Sequence, residues 1–128
     1  MTTKKKQNKV FLNDKLFAFA HNLADIAGSI TKKYFRSHNI ENFAKNDQSP
    51  VTIADTEIEA ALREEIFNKY PEHGVCGEEF GNVEGISPYK WYIDPIDGTS
   101  SFISGLPVFT NLIALLYKNE PILGIINQ

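Results

Sequence analysis

Lys90-Trp91-Tyr92-Ile93-Asp94-Pro95-Ile96-Asp97-Gly98-Thr99 is the stretch that decides how this chain is read. Its aromatic and β-branched opening predicts a strand that runs into two aspartates separated by a proline and an isoleucine. Carboxylates three residues apart across a rigid proline turn can point at one place, and hard divalent cations such as magnesium take such oxygen ligands. The backbone carbonyl of Ile96, between the two carboxylates, is a further oxygen donor. A capped, solvated turn would use the same residues, so the neighbouring motifs decide how much weight the metal reading bears.

Upstream, the apolar run from Val75 ends in Gly77-Glu78-Glu79, so four carboxylates gather at predicted strand ends. Downstream, Gly98-Thr99-Ser100-Ser101 predicts a helix start whose small residues let backbone N–H groups approach a ligand, and helix N-termini bind phosphate. A phosphate over Gly98 and Thr99 would lie beside cations held by Asp94 and Asp97, an arrangement suited to phosphoryl chemistry. The chain has neither a Walker A loop nor a G-x-G-x-x-G fingerprint, so nucleoside triphosphate and dinucleotide readings lack support.

Further out, Leu16, Phe19, Ala20, Leu23, Ile26, Ala27, Ile30 and Tyr34 recur at three- and four-residue steps, predicting an amphipathic helix from about Asn13 to Arg36. Asn13 or Asp14 is its cap. Ile40 to Ala44 reads as a short strand and Lys45 to Pro50 as a loop. Thr52 and Asp55 have capping-box spacing ahead of a second helix, whose stripe Ile58, Leu62, Ile66 ends at Tyr70-Pro71-Glu72-His73-Gly74. Val108 to Tyr117 and Ile122 to Asn127 predict an antiparallel hairpin around Lys118-Asn119-Glu120-Pro121. His21, His38 and His73 have no paired spacing for zinc and read as structural or solvent-facing, and Cys76 reads as a small buried filler.

With 128 residues, 42% hydrophobic and 23% charged, the composition is that of one ordinary soluble domain. A single cysteine argues against structural zinc and for a reducing compartment. A net charge of −3 argues against nucleic-acid binding. No run approaches the ~20 apolar residues of a membrane span, and Met1-Thr2-Thr3-Lys4-Lys5-Lys6 lacks the apolar core of a secretory signal, so a cytoplasmic location is expected. The lysine-rich residues 1–12 read as a basic, disordered tail ahead of a domain spanning 13–128.

Taken together, Gly77-Glu78-Glu79, Asp94-Pro95-Ile96-Asp97-Gly98-Thr99 and Ser49-Pro50-Val51-Thr52-Ile53-Ala54-Asp55 resemble, in family order, the motifs of the inositol monophosphatase family of metal-dependent phosphatases. Ser101-Phe102-Ile103-Ser104-Gly105-Leu106-Pro107 and Leu112-Ile113-Ala114-Leu115-Leu116 are similar to its histidinol-phosphate phosphatase branch. The resemblance implies an α+β fold, two long helices packed on an antiparallel sheet, forming the amino-terminal half of a layered αβαβα architecture. It implies Mg²⁺ as cofactor, two or three ions in the complete site, held by Glu78, Asp94, the Ile96 carbonyl and Asp97, with Asp94 bridging two of them.

It further implies that Thr99 and Asp55 orient and activate the attacking water, that Glu79 assists from behind, and that Gly98 and Thr99 hold the phosphate. For Asp55 the capping box remains an alternative role, compatible with the first, and Lys45 resembles a lysine preceding this motif in the family. The expected activity is magnesium-dependent hydrolysis of a small phosphorylated alcohol, of histidinol phosphate or inositol monophosphate type, by a homodimer. Family members are about twice this length and place another metal-binding aspartate in a later W-D-x-A motif, which nothing after Thr99 matches. The alternative is therefore a truncated, catalytically incompetent half that folds, binds cations or associates with another chain, leaving its last strand as an unpaired edge.

Overall fold

Asn13 accepts the Leu16 N–H through Oδ1 at 2.9 Å and so caps the first helix, α1 (Asp14–Phe35). The computed structural model describes residues 2–5, 12–35, 50–97 and 110–127. Of the expected α1 stripe, Leu16, Phe19, Ala20, Leu23, Ala27 and Tyr34 are buried in the core, while Ile26 and Ile30 pack half-buried against it.

The second helix, α2 (Pro50–Lys69), begins earlier than expected. Pro50 occupies its first turn, where a missing N–H costs nothing, so Thr52 lies inside the helix and not at the cap position that the Thr52–Asp55 spacing suggested. Asp55 is left available for another role. Ile58, Leu62 and Ile66 of α2 are buried, and α1 and α2 pack on each other.

The strands are β1 (Thr2–Lys5), β2 (Gly74–Gly77), β3 (Gly81–Val83), β4 (Tyr89–Asp97), β5 (Thr110–Tyr117) and β6 (Glu120–Asn127). They form one sheet in the order β1-β6-β5-β4-β2-β3. The expected antiparallel pairing holds for every neighbouring pair except β2 and β4, which run parallel, so the sheet is mixed. Trp91 and Ile93 of β4, Ile113 and Leu115 of β5, and Ile125 of β6 line the face covered by the helices. Tyr92 and Ile126 lie exposed on the opposite face.

The hairpin β5–β6 turns on Lys118 and Asn119 alone, with φ of 50° and 67°. Two positive φ values match a turn to the right-handed twist of the strands. Beyond it, Leu116 pairs with Pro121 but Leu115 with Leu123, so β6 carries one extra residue, and both Ile122 and Leu123 are buried. The last strand is no edge: β6 pairs with β1, and Thr2–Lys5, read from sequence within a solvated tail, is strand. The open N–H and C=O groups of β6 supply the reason, since a bare edge recruits whatever backbone is near.

Candidate metal and phosphate site

Parallel pairing of β2 and β4 builds the site. Gly77 is in register with Ile93, so Glu78, which leaves β2, and Asp94, the next residue of β4, lie toward the same end of the sheet. Antiparallel strands would have put them at opposite ends. Glu78-Glu79-Phe80 forms the exposed turn from β2 to β3, and Gly81 closes it with φ of 75°, a conformation suited to glycine.

Asp94 and Asp97 both belong to β4, so the segment expected to turn at Pro95 remains strand. The ladder breaks there: Asp94 opposes Leu112 while Asp97 opposes Thr110, three steps of β4 against two of β5. A missing proline N–H and an extra residue make this a bulge, a feature that re-aims side chains next to sites. Ile96 lies within the bulge. Gly98 and Thr99, with the phosphate-binding helix start expected there, and Lys45 lie outside the described residues, as do the side chains of Ile96 and Asp97.

The α2 helix delivers Asp55 to the same end. Asp55 is half-buried, and its Oδ1 is buried without a hydrogen-bond partner. Burial, and then the charges of Glu79, Asp94, Glu78 and Glu59, push its carboxyl up to about 7. Next to it, the Thr56 hydroxyl lies 3.5 Å from Glu79 Oε2. Thus Glu78, Glu79 and Asp94, all named from sequence, each act electrostatically on Asp55, which was named with them.

Sequence reasoning passed over Glu59. It is fully buried, its Oε1 accepts the Glu79 N–H at 3.0 Å and its Oε2 the Phe80 N–H at 2.8 Å. Arg63 pairs with the same Oε2 at 3.0 Å. The available signal was the spacing Asp55, Glu59, Arg63, one acidic or basic residue per helical turn alongside the apolar stripe.

A divalent cation suits this donor set. Several carboxylates crowd an orphaned buried oxygen, and positive charge among them would relieve both the repulsion and the missing contact. Among the described residues, no group of three or more His, Cys, Asp or Glu side chains is arranged to hold an ion unaided. Of the further donors named from sequence, Ile96 lies within the bulge, and Asp97 is the β4 position at which pairing resumes, opposite Thr110.

The parallel pair β2 and β4 thus brings Glu78 and Asp94 to one end of the sheet, where both act electrostatically on Asp55 of α2. Residues 12–128 match the inositol monophosphatase family, and the chain belongs to that family. It is 50% identical over 117 residues to the chloroplastic bifunctional phosphatase IMPL2 of Arabidopsis thaliana, covering 90% of this chain and 34% of that protein. It is 43% identical to the histidinol-phosphatase of Chlorobaculum parvum, covering 82% of this chain and 40% of the relative. Among solved structures, the inositol monophosphatase from Zymomonas mobilis superposes with a TM-score of 0.71 at 40% identity, over 90% of this chain and 44% of that one. The chain thus spans less than half the length of these relatives. Among the described residues, no helix is long and apolar enough to cross a membrane.

Proposed function

We propose that the chain carries the cation- and water-handling side of a magnesium-dependent phosphomonoesterase acting on a small phosphorylated alcohol, of histidinol phosphate or inositol monophosphate type. The observation that carries this reading is Asp55 Oδ1, buried, without a partner, and facing the charges of Glu79, Asp94 and Glu78. The relatives named histidinol-phosphatase support the substrate class. Glu78, Asp94, the Ile96 carbonyl and Asp97 would hold the cations, which when bound supply positive charge against phosphoryl oxygens and lower the pKa of a water.

In this reading Asp55, paired with Thr99, orients the attacking water and takes its proton at Oδ1, where burial favours the protonated form. Glu79 supports Asp55 from the turn. The amides of Gly98 and Thr99 hold the phosphate. A second reading, a half that folds and binds cations without efficient turnover, is favoured by one observation: the chain covers only 34–44% of the relatives cited above.

Release of inorganic phosphate separates the two. Histidinol phosphate and inositol monophosphate are offered to the chain with and without Mg²⁺, alone and co-expressed with the carboxy-terminal part of the Chlorobaculum parvum relative. Magnesium-dependent turnover that Asp94→Asn removes supports the phosphatase, and turnover only on co-expression supports the incomplete half. Turnover equal with and without Mg²⁺ would sink the metal-dependent reading.

A further inference from the structure

Glu59 and Arg63 form an ion pair with one member completely buried, the other largely so. Such a pair is a weak source of stability, because desolvation consumes most of the Coulombic gain. Its contacts are concentrated on one feature. Glu59 takes the amides of Glu79 and Phe80, while Arg63 donates to the Gly81 carbonyl and sets its guanidinium 5.8 Å from the Phe80 ring centroid. Gly77 completes the seat, since a Cβ there would overlap the Glu59 carboxyl group. One ion pair therefore holds the Glu78–Phe80 turn from Gly77 to Gly81, on the same helix that carries Asp55 a turn earlier.

We propose that Glu59 is a positioning residue: its two carboxylate oxygens fix the Glu78-Glu79 turn against α2, so that the carboxylates of Glu78 and Glu79 are delivered beside Asp55 and Asp94, with Gly77 required to admit it. The consequence for cations rests on the site reading under Proposed function. Groups that orient metal ligands from behind commonly change affinity 10–100-fold when altered, without touching the ion. Glu59→Gln keeps the size of the side chain but turns one acceptor into a donor, leaving an amide N–H facing an NH₂. Glu59→Asp keeps the charge but is too short to take both amides and Arg63 together.

The test combines amide hydrogen exchange, measured without cation, with Mn²⁺ titration of the same proteins. In Glu59→Gln, the Glu79 and Phe80 amides should exchange at least about tenfold faster, with Ile93 and Ile113 still protected, and Mn²⁺ affinity should fall about 10–100-fold. Gly77→Ala should reproduce both effects from the other side of the contact. Glu59→Asp replaces Glu59→Gln if the latter does not fold. Wild-type exchange at Glu79 and Phe80, or a Mn²⁺ affinity within about twofold of wild type, would overturn the proposal. Equal Mn²⁺ binding by wild type and Asp94→Asn would instead count against the cation site under Proposed function by removing Asp94 from its ligands, and the exchange rates would still decide whether Glu59 holds the turn.

Discussion

Trp91 Nε1 donates to His73 Nδ1 at 3.0 Å in the interior, and the His73 ring is stacked between Tyr70 and Tyr89 at centroid distances of 4.6 and 4.9 Å. The bond needs a neutral His73 with a bare Nδ1. Burial lowers the His73 pKa, against an opposing pull from Glu72. A lowered folded pKa means that the unfolded chain binds the proton more readily. The stability this provides is present above the unfolded value near 6.5 and is lost as pH falls below it. Trp91 is the sole tryptophan, so its fluorescence should report a transition below pH 6.5. His73→Phe keeps the stack but strands a buried N–H, and should cost about 1–3 kcal/mol by denaturant unfolding. A loss below ~0.5 kcal/mol would mean the bond is not satisfied in solution.

Asp55 predicts the opposite slope. Its carboxyl is raised to about 7 in the cation-free chain, so between about pH 4 and 7 the folded state binds more protons than the unfolded one. Stability from this group is complete below the unfolded value and is lost as pH rises through 7. Relative to wild type, Asp55→Asn should therefore gain in melting temperature from pH 5 to pH 8. Saturating Mg²⁺ should flatten that difference by supplying the missing counter-charge. Parallel pH profiles for the two proteins without cation would refute the crowded-carboxylate account of this site.

The hairpin turn offers a test of the fold alone. Lys118 at φ 50° and Asn119 at φ 67° occupy the left-handed region, which Asn-Gly fills with less strain than Lys-Asn. Changing Lys118→Asn and Asn119→Gly together should stabilise the chain by about 0.5–1 kcal/mol, because the N–H of residue 118 keeps its bond to the Pro88 carbonyl. A fall in melting temperature would show that the turn is of another type.

Much of this was legible from local pattern. The α1 stripe, the Ile58-Leu62-Ile66 stripe and the β5–β6 hairpin follow from periodicities of 3.6 and 2, which depend only on neighbours. Asp55, Glu78, Glu79 and Asp94 were legible as motifs. The parallel β2–β4 pairing was not, because no residue in Gly74–Gly77 or Tyr89–Asp97 records the direction in which two short strands meet. Yet that direction is what sets Glu78 beside Asp94. Glu59 escaped for a related reason: a glutamate on an amphipathic helix reads as solvent-facing until the sheet end supplies amides for it to accept.

The cation itself gives the last prediction. Asp94 extends β4 beyond the Gly77–Ile93 register, is half-buried, and raises the Asp55 pKa through its charge. If it also ligates a cation, binding must favour the folded chain, since the unfolded chain does not gather these carboxylates. At a free Mn²⁺ concentration 100 times the dissociation constant, linkage should stabilise the fold by about 2.7 kcal/mol, an upward shift of several degrees in melting temperature. Asp94→Asn removes the charge at nearly constant volume and should lose most of that shift. It should also lower the Asp55 pKa, because one of the repelling charges is gone. Glu84→Gln is the control: Glu84 is an exposed acid paired with Lys90, outside this carboxylate group, and its replacement should leave the Mn²⁺ shift intact. Equal shifts in wild type and Asp94→Asn would remove Asp94 from the ligand set, whereas a loss in both variants would reduce the effect to general screening of an acidic protein.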